Sequence, residues 1–183
     1  MLAPQIDCRD KINMKDISSK KIALFGLFTA VAIVFGYVEF LVPLNFIAPG
    51  VKLGFANVIF LILLLNKKFK AAILVNIVRI LLSALLFGTP FSLLFSLTAG
   101  VVSMLLMVAI NNFKRIGVIG ISVLGATVHN LTQLCVANLT VGQGVWFYFP
   151  FLLMAGIVAG IVVGILAYLI SIRVYNKISL LDI

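Results

Sequence analysis

The chain has 183 residues, of which 63% are hydrophobic and 10% charged, and its mean hydropathy is +1.27. A soluble domain carries roughly a quarter charged residues, so this composition excludes a water-soluble protein and indicates one solvated by lipid. In a soluble chain the net charge of +9 would suggest nucleic acid as a partner. Here the basic residues stand between apolar segments, which is typical of membrane topology.

A charged tail of residues 1–21 precedes the first long apolar segment. We do not expect a cleavable signal peptide, because that apolar segment is longer than the apolar region of a signal sequence. The predicted organisation is a cytoplasmic tail at residues 1–21, a transmembrane domain at residues 22–173 and a second cytoplasmic tail at residues 174–183.

Six apolar segments follow one another, separated by Pro, Gly, Asn and Lys clusters. A spanning helix needs about 20 mainly apolar residues. The second segment is short, and we expect it to cross a locally thinned bilayer. The prediction is an all-α integral membrane protein, a bundle of six transmembrane helices. The predicted spans are about 22–42, 53–65, 71–87, 91–110, 116–139 and 146–172.

Basic residues fix the predicted orientation. All but two of the 14 Lys and Arg residues lie in the N-terminal tail or after the second, fourth and sixth segments. Cytoplasmic loops are enriched in Lys and Arg, so both termini are predicted to be cytoplasmic, in a multi-pass protein of a bacterial cytoplasmic membrane. The two exceptions are Lys52, just before the second segment, and Arg79, within the third.

Small residues recur at a spacing of four in two segments, where they permit close approach of helices in lipid. In the sixth segment they are Gly156, Gly160 and Gly164. Each set either packs the bundle internally or docks a separate membrane partner. In the first segment the candidate docking residues are Gly26, Ala30, Ala32 and Gly36.

Three ionisable residues lie inside predicted spans, where an ionisable group is costly unless it pairs or faces a cavity. They are Glu39, Arg79 and His129. Amide side chains share their helix faces or lie near them, and together these groups predict a polar pocket that opens outward. The predicted ligand-binding set is Glu39, Lys52, Asn57, Asn76, Arg79, His129, Asn130 and Gln133.

Two interpretations of this set remain open. Arg79 and Glu39 alone would form an ion pair that locks the bundle. The whole set has more donor capacity than one pair requires, with Lys52 as a second cation, and suits an anionic or carbonyl-rich ligand. We find no nucleophile–base pair, phosphate-binding lysine loop or Asp-rich magnesium motif, so no enzymatic activity, cofactor or metal is expected.

Three segments together resemble the Gx transporter family, also labelled heptaprenyl diphosphate synthase component I. They are residues 49–57 (PGVKLGFAN), Arg79 followed by residues 85–88 (LLFG), and residues 129–133 (HNLTQ). The resemblance extends over about residues 22–173.

Members of this family look like the substrate-binding S components of energy-coupling factor (ECF) importers. The resemblance implies a six-helix fold that binds a small vitamin-like ligand near the outer face, and transport together with a coupling transmembrane subunit and two ATPases. It also implies docking of that subunit on the first helix, where the usual pattern has alanine at positions that are glycine here. Two alternatives follow from the same resemblance: a membrane partner of a flavin-carrying protein in quinone or extracellular electron transfer, and a non-catalytic component associated with prenyl diphosphate synthesis.

Overall fold

The structure of the protein, a computed structural model, describes residues 8–41, 54–111 and 116–178. Every regular element in these ranges is helical. A 3-10 turn at Gln143–Tyr148 precedes the last helix. Lys52, the predicted outer loop around it and the last five residues lie outside the described residues. The helices are α1 (Cys8–Leu41), α2 (Asn57–Leu65), α3 (Phe69–Phe87), α4 (Pro90–Asn111), α5 (Val118–Val141) and α6 (Phe149–Ile178).

Five of these helices contain a segment long and apolar enough to cross a membrane. The segments are Lys21–Glu39, Phe69–Phe87, Pro90–Asn111, Val118–Thr140 and Gly144–Val174. They agree with five of the six predicted spans to within a few residues. The protein is therefore an all-helical, multi-pass membrane protein. Helix α1 is continuous from Cys8, so part of the predicted N-terminal tail is an extension of the first span.

Helix α2 is shorter than the predicted second span, which was expected to begin near residue 53. It has nine residues and is about 14 Å long at the usual rise per residue, less than half of a hydrocarbon core of about 30 Å. Its start is set by Gly54, whose φ of +76° suits glycine, and by a hydrogen bond of 2.8 Å from the Asn57 N–H to the Gly54 carbonyl.

Helix α2 lies at the centre of the bundle. Its residues from Val58 to Leu64 are all buried, and they form the main core together with apolar residues of the other helices. A helix that is apolar on every side is surrounded on every side by protein or lipid, and here the surroundings are protein. The continuous apolar run of α2 therefore reflects burial in protein, whereas the longer helices also expose apolar side chains to lipid.

Contacts between helices define their relative directions. The rings of Tyr37 and Phe87, near the ends of α1 and α3, are 5.6 Å apart, so these two helices end at the same face of the bundle. The chain between them must therefore reverse direction. At the opposite face, the Asn66 side-chain amide donates to the Ser171 hydroxyl at 3.0 Å, which joins the end of α2 to the last turns of α6.

Helices α5 and α6 pack most closely, through the glycine series of α6. A Cβ atom on Gly160 would lie 2.5 Å from the Val123 Cα, and one on Gly156 would lie 3.0 Å from the Thr127 Cα. The two helices are antiparallel, with almost no space between their backbones. Of the two interpretations of this series, internal packing is the one that the contacts support.

Candidate functional site

Arg79 is the centre of a polar cluster within the bundle. Its Nη2 donates to the Asn76 Oδ1 at 2.8 Å and to the Asn57 Oδ1 at 3.4 Å. Asn76 lies three residues earlier on α3, and Asn57 is the first residue of α2. Two amide carbonyl groups therefore orient the guanidinium group. The contact with Asn76 agrees with the predicted spacing of Asn76 and Arg79 on one helix face.

Glu39 lies across the cluster from Arg79, near the end of α1. Its Oε1 accepts a hydrogen bond of 2.6 Å from the Gly54 backbone N–H. This contact joins α1 to the residues that precede α2. The carboxylate also acts electrostatically on the Arg79 guanidinium, so a negative and a positive group face the same space.

A small cavity separates these groups. Its volume of about 30 Å³ accommodates roughly two water molecules and is too small for a vitamin-sized molecule. The cavity is where α1 to α5 converge, together with the turn before α2. It is lined by Glu39, Gly54, Ala56, Asn57, Arg79, Ser96 and His129.

His129 forms the wall contributed by α5 and is 9% exposed. Its Nδ1 lies 3.4 Å from the Ser103 hydroxyl of α4. This contact orients the imidazole ring so that one nitrogen faces α4. A lone histidine in such a wall can orient a bound molecule through a hydrogen bond.

Two buried polar atoms beside the cavity have no partner among the described residues. They are the Arg79 Nε and the Ser83 Oγ, one helical turn apart on α3. A buried donor without a partner costs free energy comparable to a lost hydrogen bond. Such atoms indicate a place that water or a ligand fills.

Asn130 and Gln133 lie apart from the cavity. The Asn130 side chain donates to the Leu152 carbonyl of α6 at 3.0 Å, so it joins α5 to α6. Gln133 is 4% exposed, and its Oε1 has no partner in the part of the chain that the structure describes. Of the eight predicted residues, four therefore line the cavity, and Asn76 accepts a hydrogen bond from Arg79.

Four residues of this site were not predicted: Gly54, Ala56, Ser96 and Ser103. Ser96 lines the cavity, and Ser103 contacts His129. These two serines are seven residues apart on α4 and so share a helix face. That spacing was visible in the sequence. Gly54 contributes a backbone N–H, for which a sequence gives no signal.

The four predicted docking residues of α1 divide into two pairs. Gly26 and Ala30 are exposed, and a Cβ on Gly26 would meet nothing within 4 Å. Ala32 is 1% exposed, and a Cβ on Gly36 would contact Ser83 and Ala56. The first pair therefore faces outward from the bundle, and the second pair packs against it.

The cavity is nearer to one membrane face than to the other. Glu39 is two residues from the end of α1, whereas the lysine-rich turn after α2 and the end of α6 lie at the opposite face.

Comparison with known proteins gave one match. The family described as heptaprenyl diphosphate synthase component I matches residues 28–170, which include the whole described cavity. No curated protein and no solved structure matches the chain.

Proposed function

The chain belongs to the heptaprenyl diphosphate synthase component I family, and from that premise we propose that it is a substrate-binding membrane subunit of the S-component type, part of an ECF importer. It captures a small vitamin-like or anionic ligand from the outer side and has no enzymatic activity of its own. Its partners are a coupling transmembrane subunit and two ATPases.

The observation that carries this proposal is the Arg79 environment. A partly buried guanidinium group is oriented by two amides, its buried Nε has no partner among the described residues, and it faces a cavity. A group that served only to lock the bundle would have all its donors satisfied within the protein. The unused donor supports a bound molecule with an acceptor at this position.

The proposed topology has six crossings, with both termini in the cytoplasm. Helices α1 and α3 end at the same face, so the chain must return across the membrane between them. In this proposal, α2 forms part of that return. The lysine-rich turn after α2 and Arg173 then lie on the cytoplasmic side, in agreement with the positive-inside rule.

Ligand entry requires the cavity to enlarge. The bond between the Glu39 carboxylate and the Gly54 N–H joins α1 to the residues before α2, so in this proposal their separation widens the site. Irregular backbone at membrane depth is tolerated where it lines a cavity, and the turn before α2 is such a segment.

The exposed face of α1 is the proposed docking surface for the coupling subunit. Gly26 and Ala30 lie on it one turn apart, and small residues allow close approach of a partner helix. Ala32 and Gly36 are less suited to this role, because they pack against the rest of the chain.

Retention of a small molecule by the purified protein tests the binding function. Wild-type protein isolated in mild detergent is expected to release a bound compound on denaturation, detected by mass spectrometry. Arg79→Gln is expected to lose at least nine-tenths of it, whereas Thr140→Ala, an exposed hydroxyl at the end of α5, retains it. Equal recovery from Arg79→Gln and wild type would contradict a ligand site at Arg79.

Affinity purification with mass spectrometry of the associated proteins tests the partners. Wild type is expected to recover a coupling subunit with two ATPases, and Ala30→Leu to lose them. Ala109→Leu, at an exposed alanine of α4, is the matched control. The family description favours a second candidate, a non-catalytic component of prenyl diphosphate synthesis, and recovery of a prenyltransferase without ATPases would support it instead.

A further inference from the structure

The Ser103 hydroxyl of α4 contacts two partners but has only one proton to donate. Its Oγ lies 3.2 Å from the Gly100 carbonyl oxygen on the same helix and 3.4 Å from the His129 Nδ1 of α5. Both side chains are buried, Ser103 with 4% and His129 with 9% of its surface exposed. Because buried polar groups are nearly always hydrogen-bonded, both contacts are expected to be hydrogen bonds.

The direction of these two bonds follows from the chemistry of the partners. A backbone carbonyl oxygen can only accept, so the Ser103 hydroxyl donates its proton to Gly100. The Ser103 Oγ then has only lone pairs to offer, and it can only accept from His129. Both bonds therefore exist together only if the His129 Nδ1 carries a proton. The reverse direction, from the hydroxyl to the imidazole, would leave the shorter of the two contacts without a hydrogen bond.

The proton on Nδ1 determines what the other ring nitrogen can do. A neutral imidazole has one N–H donor and one acceptor nitrogen. With the proton on Nδ1, the acceptor is Nε2. The His129 ring lines the Arg79 cavity on the wall that α5 contributes, so the ring offers an acceptor to this cavity.

The walls of the cavity consequently differ in hydrogen-bonding character. On the α3 side, the Arg79 Nε is a donor without a partner among the described residues. On the α1 and α5 sides, the Glu39 carboxylate and the His129 Nε2 are acceptors. A molecule that matches both sides has an acceptor oxygen toward α3 and an N–H or O–H group toward α1 and α5. An anion whose atoms are all acceptors matches only the first side.

We infer that Ser103 holds His129 as the tautomer protonated on Nδ1, and that the His129 Nε2 accepts a hydrogen bond from a donor group of the bound molecule. Ser103 is thus a positioning residue, which acts on the bound molecule through the imidazole ring. The ligand class is narrowed to small molecules with both an acceptor oxygen and an N–H or O–H donor, such as hydroxy acids. This ligand class rests on the proposed function, whereas the tautomer does not.

Nitrogen NMR of the imidazole tests the tautomer directly, because the chain contains a single histidine. Wild-type protein with isotope-labelled histidine, at alkaline pH so that the ring is neutral, is expected to carry the proton on Nδ1. Ser103→Ala is expected to shift the proton toward Nε2, because the Nδ1–H group loses its acceptor. Thr98→Ala is the matched control on α4, since the Thr98 hydroxyl bonds to backbone carbonyls of its own helix. Its tautomer should equal that of wild type.

Two small probes of equal charge test the acceptor role of Nε2. Glycolate has a carboxylate and an O–H donor, whereas fluoroacetate has a fluorine of similar size in place of the hydroxyl. A site that hydrogen-bonds a donor discriminates against an analogue that lacks it. Glycolate is therefore expected to shift the Nε2 signal, and fluoroacetate to leave it unchanged. Ser103→Ala should bind glycolate about fivefold more weakly, the effect of one hydrogen bond.

The outcomes separate this inference from the proposed binding function. A wild-type ring protonated on Nε2, or an unchanged tautomer in Ser103→Ala, overturns the role of Ser103. Equal shifts with glycolate and fluoroacetate, or no shift with glycolate, overturn the role of Nε2 as an acceptor. None of these results alters the retention of a compound at Arg79, which the comparison of wild type with Arg79→Gln measures by itself.

Discussion

Arg79 and Glu39 belong to different helices and share one small cavity. The charge of each residue therefore affects the free-energy cost of holding the other charge inside the bundle. Arg79 has amide carbonyl partners at Asn57 and Asn76, and Glu39 has the backbone N–H of Gly54. Each charge is thus partly satisfied by neutral dipoles. Removal of the carboxylate nevertheless leaves a partly buried cation without its counter-charge, which is unfavourable.

A double-mutant cycle measures this coupling. We expect Glu39→Gln to lower the free energy of unfolding, and the double variant Glu39→Gln, Arg79→Gln to be less destabilised than the sum of the two single variants. The expected coupling is about 1 kcal/mol, measured by reversible unfolding in mixed micelles. Glu39→Gln combined with Thr140→Ala is the control pair and should be additive. Additive effects in the first pair would mean that the two charges act independently.

At this scale the sequence identified residue types better than their partners. The spacing of Asn76 and Arg79 predicted their shared face, and the structure has a hydrogen bond between them. Asn130 lies next to His129 in sequence, but its side chain bonds to α6, because adjacent residues on a helix point about 100° apart. Gly54 was not identifiable, since its contribution is a backbone N–H placed by tertiary structure.

For whole helices, the glycine series of α6 predicts that a larger residue in it lowers the stability of the protein. Gly160→Ala places a methyl group 2.5 Å from the Val123 Cα, so α5 and α6 must move apart. Overpacking of this kind costs about 1–3 kcal/mol, and the thermal unfolding temperature should fall accordingly. Gly26→Ala is the matched control, since nothing lies within 4 Å of its new methyl group. Equal stability of the two variants would contradict the close packing of α5 and α6.

Five of the six predicted segments form helices long and apolar enough to span a membrane, because their apolar runs have the length that a span needs. Helix α2 is shorter than its predicted segment, which was expected to begin near residue 53. Its start depends on the left-handed conformation at Gly54. The sequence contains several glycines in similar surroundings, so this one did not stand out.

For the molecule as a whole, the main prediction is its orientation in the membrane, with Gly144 at the outer face and Lys70 at the cytoplasmic face. In a variant whose native cysteines are replaced by serine, Gly144→Cys should react with a membrane-impermeant maleimide in intact cells. Gly144 is exposed, and a Cβ there would meet nothing within 4 Å. Lys70→Cys should react only after the membrane is permeabilised. The reverse pattern would mean that the cavity opens toward the cytoplasm.

The all-helical architecture followed from composition and from the long apolar segments, because both reflect the physics of the bilayer. The size of the cavity did not follow from them. Polar residue types indicate that a pocket exists, whereas its volume depends on how closely α1 approaches the turn before α2 through the bond between Glu39 and Gly54.

The shortness of α2 has a consequence for biogenesis. A nine-residue segment is too short for the translocation machinery to insert as a helix by itself. Its polar backbone ends must therefore be shielded by protein. Part of that shield is α6, which is synthesised about a hundred residues later and whose Ser171 accepts from Asn66 across a separation of 105 residues. Helix α2 therefore completes its packing only after α6 has been synthesised, since the hydrogen bond between Asn66 and Ser171 cannot form before then.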